Sequence, residues 1–213
     1  LLRRDMAGQA LWLLPLALIG TTAALKRLPR RQPPLAARLN LLLWVGWLIS
    51  YGLILSFMHN VVHTYYMVLL APAVAVLAGA GTAALWRAYR DTDWRGRWLP
   101  AALLATAVWQ AYLLAGSPGR RGLWPCAVLP PLVGALTLLG IRRSAVGVEG
   151  HARLASGALS ASLAAMLIGP TVWSLSSVLV PGGPVLPLAD PVRLVDPSRD
   201  PRPPESLRAL SGF

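Results

Sequence analysis

No Lys, Arg, Asp or Glu interrupts the stretch LNLLLWVGWLISYGLILSFMHNVVHTYYMVLLAPAVAVLAGAGTAALW, residues 39–86. As one helix it would be about 72 Å long at 1.5 Å per residue, more than twice the ~30 Å hydrocarbon core of a bilayer. Its polar centre, from His59 to Thr64, divides it into two predicted spans, 39–58 and 66–86. Because the apolar runs are continuous and do not alternate, they predict membrane helices and not barrel strands.

The composition of the whole chain supports a membrane protein. Of 213 residues, 55% are hydrophobic and 13% are charged, and the mean hydropathy is +0.55. Soluble domains carry about 25% charged residues, and disordered chains have low hydrophobicity, so both classes are excluded. We expect an all-α polytopic membrane protein of about six transmembrane helices, at residues 6–25, 39–58, 66–86, 98–119, 122–141 and 154–180.

The basic residues predict the orientation of these spans. The formal net charge is +12, and the first, third and fifth connections hold twelve Lys and Arg, whereas the second and fourth hold two. The positive-inside rule places the odd connections in the cytoplasm, and both termini and the loop 59–65 on the outer face. Because the arginines lie between apolar runs, they indicate a lipid bilayer as partner and no nucleic acid. We therefore predict a multi-pass protein of the plasma (inner) membrane.

Two domains are predicted. Residues 1–180 form the transmembrane helical domain, and residues 181–213, with eight prolines and mixed charges, form an external Pro-rich linker or tail. The chain does not begin with Met and has no signal-peptide pattern at its start, so we expect a part of a longer protein. Four tryptophans at predicted span ends are interpreted as interface anchors: Trp12, Trp86, Trp98 and Trp124.

The outer loop between the second and third spans is the first candidate site. It carries His59, His63, Tyr65 and Tyr66, whose side chains can hydrogen-bond a phosphate or a sugar at a membrane mouth. An aromatic interface belt with satisfied histidines remains the alternative. The two histidines are spaced i, i+4 like metal ligands on a helix, but no carboxylate accompanies them, and we predict no metal site.

The N-terminal segment is the second candidate site on the same predicted face. It holds Arg3, Arg4, Asp5 and Gln9, and the planar guanidinium of arginine suits phosphate. An ordinary juxtamembrane charge pair is the alternative interpretation. No acidic residue lies inside a predicted span, which disfavours a proton-coupled transporter.

Three segments carry a resemblance to a known family: GQALWLLP at residues 8–15, FMHNVVHTYYMVLLAPA at 57–73, and LIGP at 167–170 followed by Trp173. Over residues 1–180 the chain resembles the C-terminal half of glycosyltransferase family 39-like proteins. These belong to the superfamily of protein O-mannosyltransferases and aminoarabinose transferases, and the likeness is greatest to bacterial mannosyltransferases of the YkcA/YkcB type. The family patterns are GGQ-x-x-W-L-L-P and H-P-Y-Y-x-x-x-L-x-P-A. Three residues depart from the family: Ala7 replaces a Gly, Thr64 a Pro, and Asp5 stands where a Glu is frequent.

The resemblance implies transfer of a mannose-like sugar from a polyprenyl-phosphate donor to an acceptor on the outer face. It implies that His63, Tyr65 and Tyr66 lie near the donor and that cationic residues stabilise the phosphate as it leaves. The acidic catalytic loop belongs to the N-terminal half, so that half is an expected partner and this chain alone should be inactive. No cofactor is expected here, although the full-length protein could use a divalent metal. A non-catalytic membrane subunit or a transporter piece is the alternative function.

Overall fold

The computed structural model describes residues 4–27, 35–57, 64–91, 94–115, 123–144 and 150–179. Helices account for nearly all of these residues, and no strand occurs among them, which confirms the all-α prediction. The helices are α1 Arg4–Ala10, α2 Leu14–Arg27, α3 Leu35–Phe57, α4 Ala71–Arg90, α5 Trp98–Leu114, α6 Leu123–Arg143 and α7 Ala152–Leu179. A first 3₁₀ helix, Thr64–Leu70, runs directly into α4, and a second, Trp94–Arg97, runs into α5.

The described helices have the length and hydropathy of membrane spans. Four segments are long and apolar enough to cross a bilayer: Leu35–Phe57, Tyr66–Arg90, Leu123–Arg143 and Ala152–Ser176. A shorter apolar helix covers Leu14–Lys26, and α5 has 17 residues. The chain is therefore a polytopic membrane protein. The total of six spans and the outer position of both termini stay predictions, and the Pro-rich segment 181–213 lies outside the described residues.

Close packing of α2 on α4 organises the N-terminal part of the bundle. The two helices cross at a pair of glycines, where a Cβ added to Gly81 would come within 2.5 Å of the Gly20 Cα. Lipid tails are as apolar as leucine, so helices in a bilayer associate through close backbone approach of this kind. Both α2 and α4 also contact α5, which packs on α6 of a second close pair, α6 and α7.

The pair of α6 and α7 also depends on small residues. A Cβ at Gly134 would lie 2.9 Å from the Ala158 carbonyl oxygen, and the Ser162 hydroxyl donates to that same oxygen at 2.7 Å. Helix α5 packs against α6 and α2 and so joins the two pairs. In contrast, α3 packs chiefly on α4 and the first 3₁₀ helix and exposes most of its leucines and isoleucines, as expected for a lipid-facing helix.

One end of the bundle gathers basic side chains, and we call it the basic face: Lys26, Arg87, Arg95 and Arg142. The Lys26 ammonium lies 4.5 Å from the centroid of the Trp98 ring. The Arg142 guanidinium donates to the carbonyl oxygens of Tyr89 at 2.8 Å and Asp91 at 3.1 Å, which caps the end of α4. The Tyr89 hydroxyl in turn donates to the Leu138 carbonyl at 2.8 Å, and both contacts tie α4 to α6.

Candidate functional site

The first predicted span, 6–25, is not a continuous helix. Helix α1 ends at Ala10 and α2 begins at Leu14, so residues 11–13 form a break. Pro15 has no N–H, and the Leu11 carbonyl therefore loses the partner that an uninterrupted helix would provide. Two donors compensate: the Leu14 amide at 3.2 Å and the indole Nε1 of Trp109 at 2.7 Å. A broken helix is tolerated in a membrane when its freed backbone groups are satisfied within the protein, as the Leu11 carbonyl is here.

A second proline creates a matching site on α7. Pro170 cannot donate to the carbonyl of Met166, and the Gln110 Nε2 donates to that oxygen at 2.9 Å. The same nitrogen lies 3.5 Å from the Trp12 carbonyl oxygen in the break. Gln110 is fully buried, and its Oε1 has no hydrogen-bond partner among the described residues. Through Trp109 and Gln110, helix α5 thus donates hydrogen bonds to both the helix break and α7.

Sequence reasoning missed this role of α5. Trp109 and Gln110 lie in the predicted span 98–119, and the hydropathy of a whole span does not distinguish single side chains. Two signals could have identified them: Pro15 and Pro170 each leave a carbonyl unpaired four residues earlier, and a glutamine in the middle of an apolar span needs polar partners.

The interpretation of Trp12 as an interface anchor is wrong. Its side chain is 2% exposed, and its ring packs edge-on against Trp173 with centroids 4.8 Å apart. Its Nε1 donates to the Gly8 carbonyl at 2.8 Å, and a Cβ at Gly169 would lie 2.5 Å from its Cζ3. The indole is therefore satisfied inside the protein and has no need of the headgroup region. Two of the segments that carry the family resemblance, 8–15 and 167–173, meet at this ring.

Helix α1, which carries part of one predicted cluster, packs against the first 3₁₀ helix, which carries part of the other. We call the contact of these two helices the α1–3₁₀ site. Gln9 on α1 and Tyr66 on the 3₁₀ helix are both half-buried, and Tyr66 packs on the hydrophobic core. Arg4 and Asp5 belong to α1, and Tyr65 belongs to the 3₁₀ helix. Arg3, His59 and His63 lie outside the described residues.

Buried apolar side chains position the α1–3₁₀ site. Ala7 on α1 is fully buried, as is Met67 on the 3₁₀ helix, and Leu70 is 1% exposed. The site is at the start of α4, and the basic face is at its end. The twenty residues of α4 span about 30 Å, the thickness of the hydrocarbon core. The α1–3₁₀ site and the basic face therefore lie at opposite ends of the bundle.

The described residues contain no group of three or more His, Cys, Asp or Glu that could hold a metal ion. The i, i+4 histidine pair lies outside them.

Two curated proteins of Bacillus subtilis (strain 168) are similar to this chain. One is named "Putative mannosyltransferase YycA", with 33% identity over 195 residues, or 90% of this chain and 27% of that protein. The other is named "Putative mannosyltransferase YkcB", with 29% identity over 90% of this chain and 26% of that protein. The chain thus spans about a quarter of the length of the curated relatives it matches. No family model matches the chain, and no solved structure gives a significant match.

Proposed function

We propose that this chain is part of a membrane glycosyltransferase that moves a mannose-like sugar from a polyprenyl-phosphate donor to an acceptor on the outer face. The observation that carries the proposal is the contact of α1 with the first 3₁₀ helix. It joins two polar segments more than fifty residues apart in the chain. The resemblance implies that the later one lies near the donor, and the earlier one is a candidate because arginine suits phosphate. The names of the two similar proteins support the same class of reaction.

In this proposal the α1–3₁₀ site forms the rear wall of the donor cavity. The hydroxyls of Tyr65 and Tyr66 and the amide of Gln9 hydrogen-bond the sugar and the phosphate oxygens. Arg3 and Arg4 supply the positive charge. As the bond from the sugar to the phosphate breaks, negative charge grows on the phosphate, and fixed guanidinium groups stabilise that charge.

The helix break gives this wall its rigidity. An α1 that merely continued α2 would follow the direction of the membrane span, whereas the break at residues 11–13 lets α1 pack beside the 3₁₀ helix. The hydrogen bond from Trp109 to Leu11 and the packing of Trp12 on Trp173 hold that orientation. A binding wall must keep its groups within about 0.5 Å of the productive geometry, so we expect these supports to matter for transfer.

The resemblance implies that the acidic residue that assists transfer belongs to the N-terminal half of a longer protein. That half would be a partner of this chain across the donor cavity. The purified 213-residue chain should therefore transfer no sugar on its own. Transfer from a polyprenyl-phosphate sugar by the isolated chain would contradict this assignment.

The proposal is tested on the full-length protein, reconstituted with mannosyl polyprenyl phosphate. We expect His63→Ala and Tyr65→Ala each to lower the transfer rate by about 10²-fold, the size typical of a lost transition-state hydrogen bond. His151→Ala is the matched control, because His151 directly precedes α7 near the basic face. Membrane insertion of all three variants should be normal. Unchanged transfer in both His63→Ala and Tyr65→Ala would contradict the proposal and favour an interface belt.

A further inference from the structure

A groove of about 300 Å³ opens between α2, α3 and α4 near the basic face. Its walls include four alanines where larger residues would close it: Ala24, Ala37, Ala80 and Ala84. At its inner end lies the ring of Trp44. Most of its lining is apolar, so the groove suits an apolar occupant.

Two polar side chains line the groove, and both are exposed. Asn40 lies one turn of α3 from Trp44, and its Oδ1 accepts a hydrogen bond from the Trp44 Nε1 at 3.0 Å, so it belongs to the inner part of the groove. Arg87 is at the other end, at the basic face, where its guanidinium suits an anionic phosphate.

We propose that this groove binds an anionic phospholipid, with one acyl chain between α3 and α4 and the phosphate on Arg87. The proposal rests on contacts at the basic face and is independent of the proposed transfer reaction at the opposite end of the bundle. Basic pockets between membrane helices are known binding places for anionic headgroups.

The depth of the groove fits a lipid of one leaflet. Its α4 wall runs from Val76 to Arg87, eleven residues or about 16 Å along the helix. The hydrocarbon core is about 30 Å thick, so the groove reaches from the interface to the midplane. A phospholipid acyl chain matches this depth, whereas the longer chain of a polyprenyl phosphate would extend past it.

The surrounding charge favours an anion over a zwitterion. The acidic residues within the described ranges are Asp5 and Asp91 alone, and Asp5 lies on α1 at the far end of the bundle. Arg90 and Lys26 add to the positive potential near Arg87. Each basic residue close to a membrane surface strengthens the binding of anionic lipid about five-fold.

The test measures lipid occupancy of the purified full-length protein by native mass spectrometry, with phosphatidylglycerol and phosphatidylcholine offered in equal amounts. Arg87→Gln should reduce the preference for phosphatidylglycerol about five-fold. Arg90→Gln, which removes an equal charge from a residue outside the groove, should reduce it clearly less. Ala80→Leu and Ala37→Leu, which change exposed alanines of the groove wall, should lower the occupancy of both lipids.

Three results would overturn the proposal. One is equal loss of preference in Arg87→Gln and Arg90→Gln, which would indicate a diffuse basic surface. Another is unchanged occupancy in both leucine variants, since the acyl chain would then not lie in the groove. The third is displacement of phosphatidylglycerol by a smaller amount of polyprenyl phosphate, which would assign the groove to that lipid.

Discussion

The crossing of α2 and α4 predicts a strong effect of one methyl group. In Gly81→Ala the new Cβ would lie 2.5 Å from the Gly20 Cα and 2.9 Å from its carbonyl carbon. Carbon atoms in contact prefer about 3.5–4.0 Å, so the two helices must separate by roughly 1 Å. Both neighbours are backbone atoms, and no flexible side chain can move aside. We expect the clash to reduce the free energy of unfolding by about 1–3 kcal/mol.

Gly79→Ala is the matched control for this experiment. Gly79 is on the same helix, and a Cβ there would meet nothing within 4 Å. Alanine in place of glycine improves helix propensity by up to about 1 kcal/mol at either position. The difference between the two variants therefore isolates the clash at the crossing.

The measurement is reversible unfolding of the purified protein in mixed micelles, with both variants under identical conditions. The double variant Gly20→Ala with Gly81→Ala should cost less than the sum of the single changes, because helices already separated by one methyl group accommodate the second. The reasoning would be refuted if Gly81→Ala were as stable as Gly79→Ala, or if the two crossing substitutions were simply additive.

Three further predictions concern the supports of the bundle and the site. Arg142→Gln should lower the thermal unfolding temperature, because it removes the cap on α4 and about 1–3 kcal/mol of the free energy of unfolding. Arg143→Gln, at an exposed neighbour, should have little effect. Equal shifts of the two unfolding temperatures would contradict the capping role. Gly169→Ala should reduce sugar transfer by the full-length protein, because the added Cβ meets the buried indole, and Gly157→Ala, with open space at its Cβ, should not. Trp109→Phe should lose about 1 kcal/mol of stability with the hydrogen bond to the helix break, and amide exchange should rise at the break; unchanged exchange would argue against this support.

The helical fold could be predicted from the sequence because hydropathy and charge report directly on membrane spans. The segments around α3, α4, α6 and α7 agree with the predicted spans to within a few residues for that reason. The break at residues 11–13 was not predicted. Hydropathy is the same in a straight and a broken helix, and Pro15 alone is also compatible with a helix start.

The supports of the break could not be predicted from local pattern either. The Trp109 indole reaches a carbonyl 98 positions earlier in the chain, and Gln110 reaches one 56 positions later. An amphipathic side chain near a span end predicts interfacial placement for Trp12. In the structure the Trp12 indole N–H donates to the Gly8 carbonyl, and the ring is buried against Trp173. Neither part of the side chain therefore needs the membrane interface.

The candidate site was predictable in part. Polar residues at one predicted face and the family resemblance pointed to both of its segments, and the packing of α1 on the 3₁₀ helix is the spatial link between them. The roles of all the candidate residues stay predictions: Arg3, Arg4, Asp5, Gln9, His59, His63, Tyr65 and Tyr66.

Photocrosslinking in the full-length protein tests directly whether the α1–3₁₀ site holds the polyprenyl-phosphate donor. A photoreactive residue is placed at Gln9, at Tyr66 and, as a control at the end of α4 near the basic face, at Arg90. With radiolabelled mannosyl polyprenyl phosphate, we expect labelling at Gln9 and Tyr66 that unlabelled donor suppresses, and background labelling at Arg90. Specific labelling at Arg90 with none at Gln9 and Tyr66 would contradict this placement of the donor.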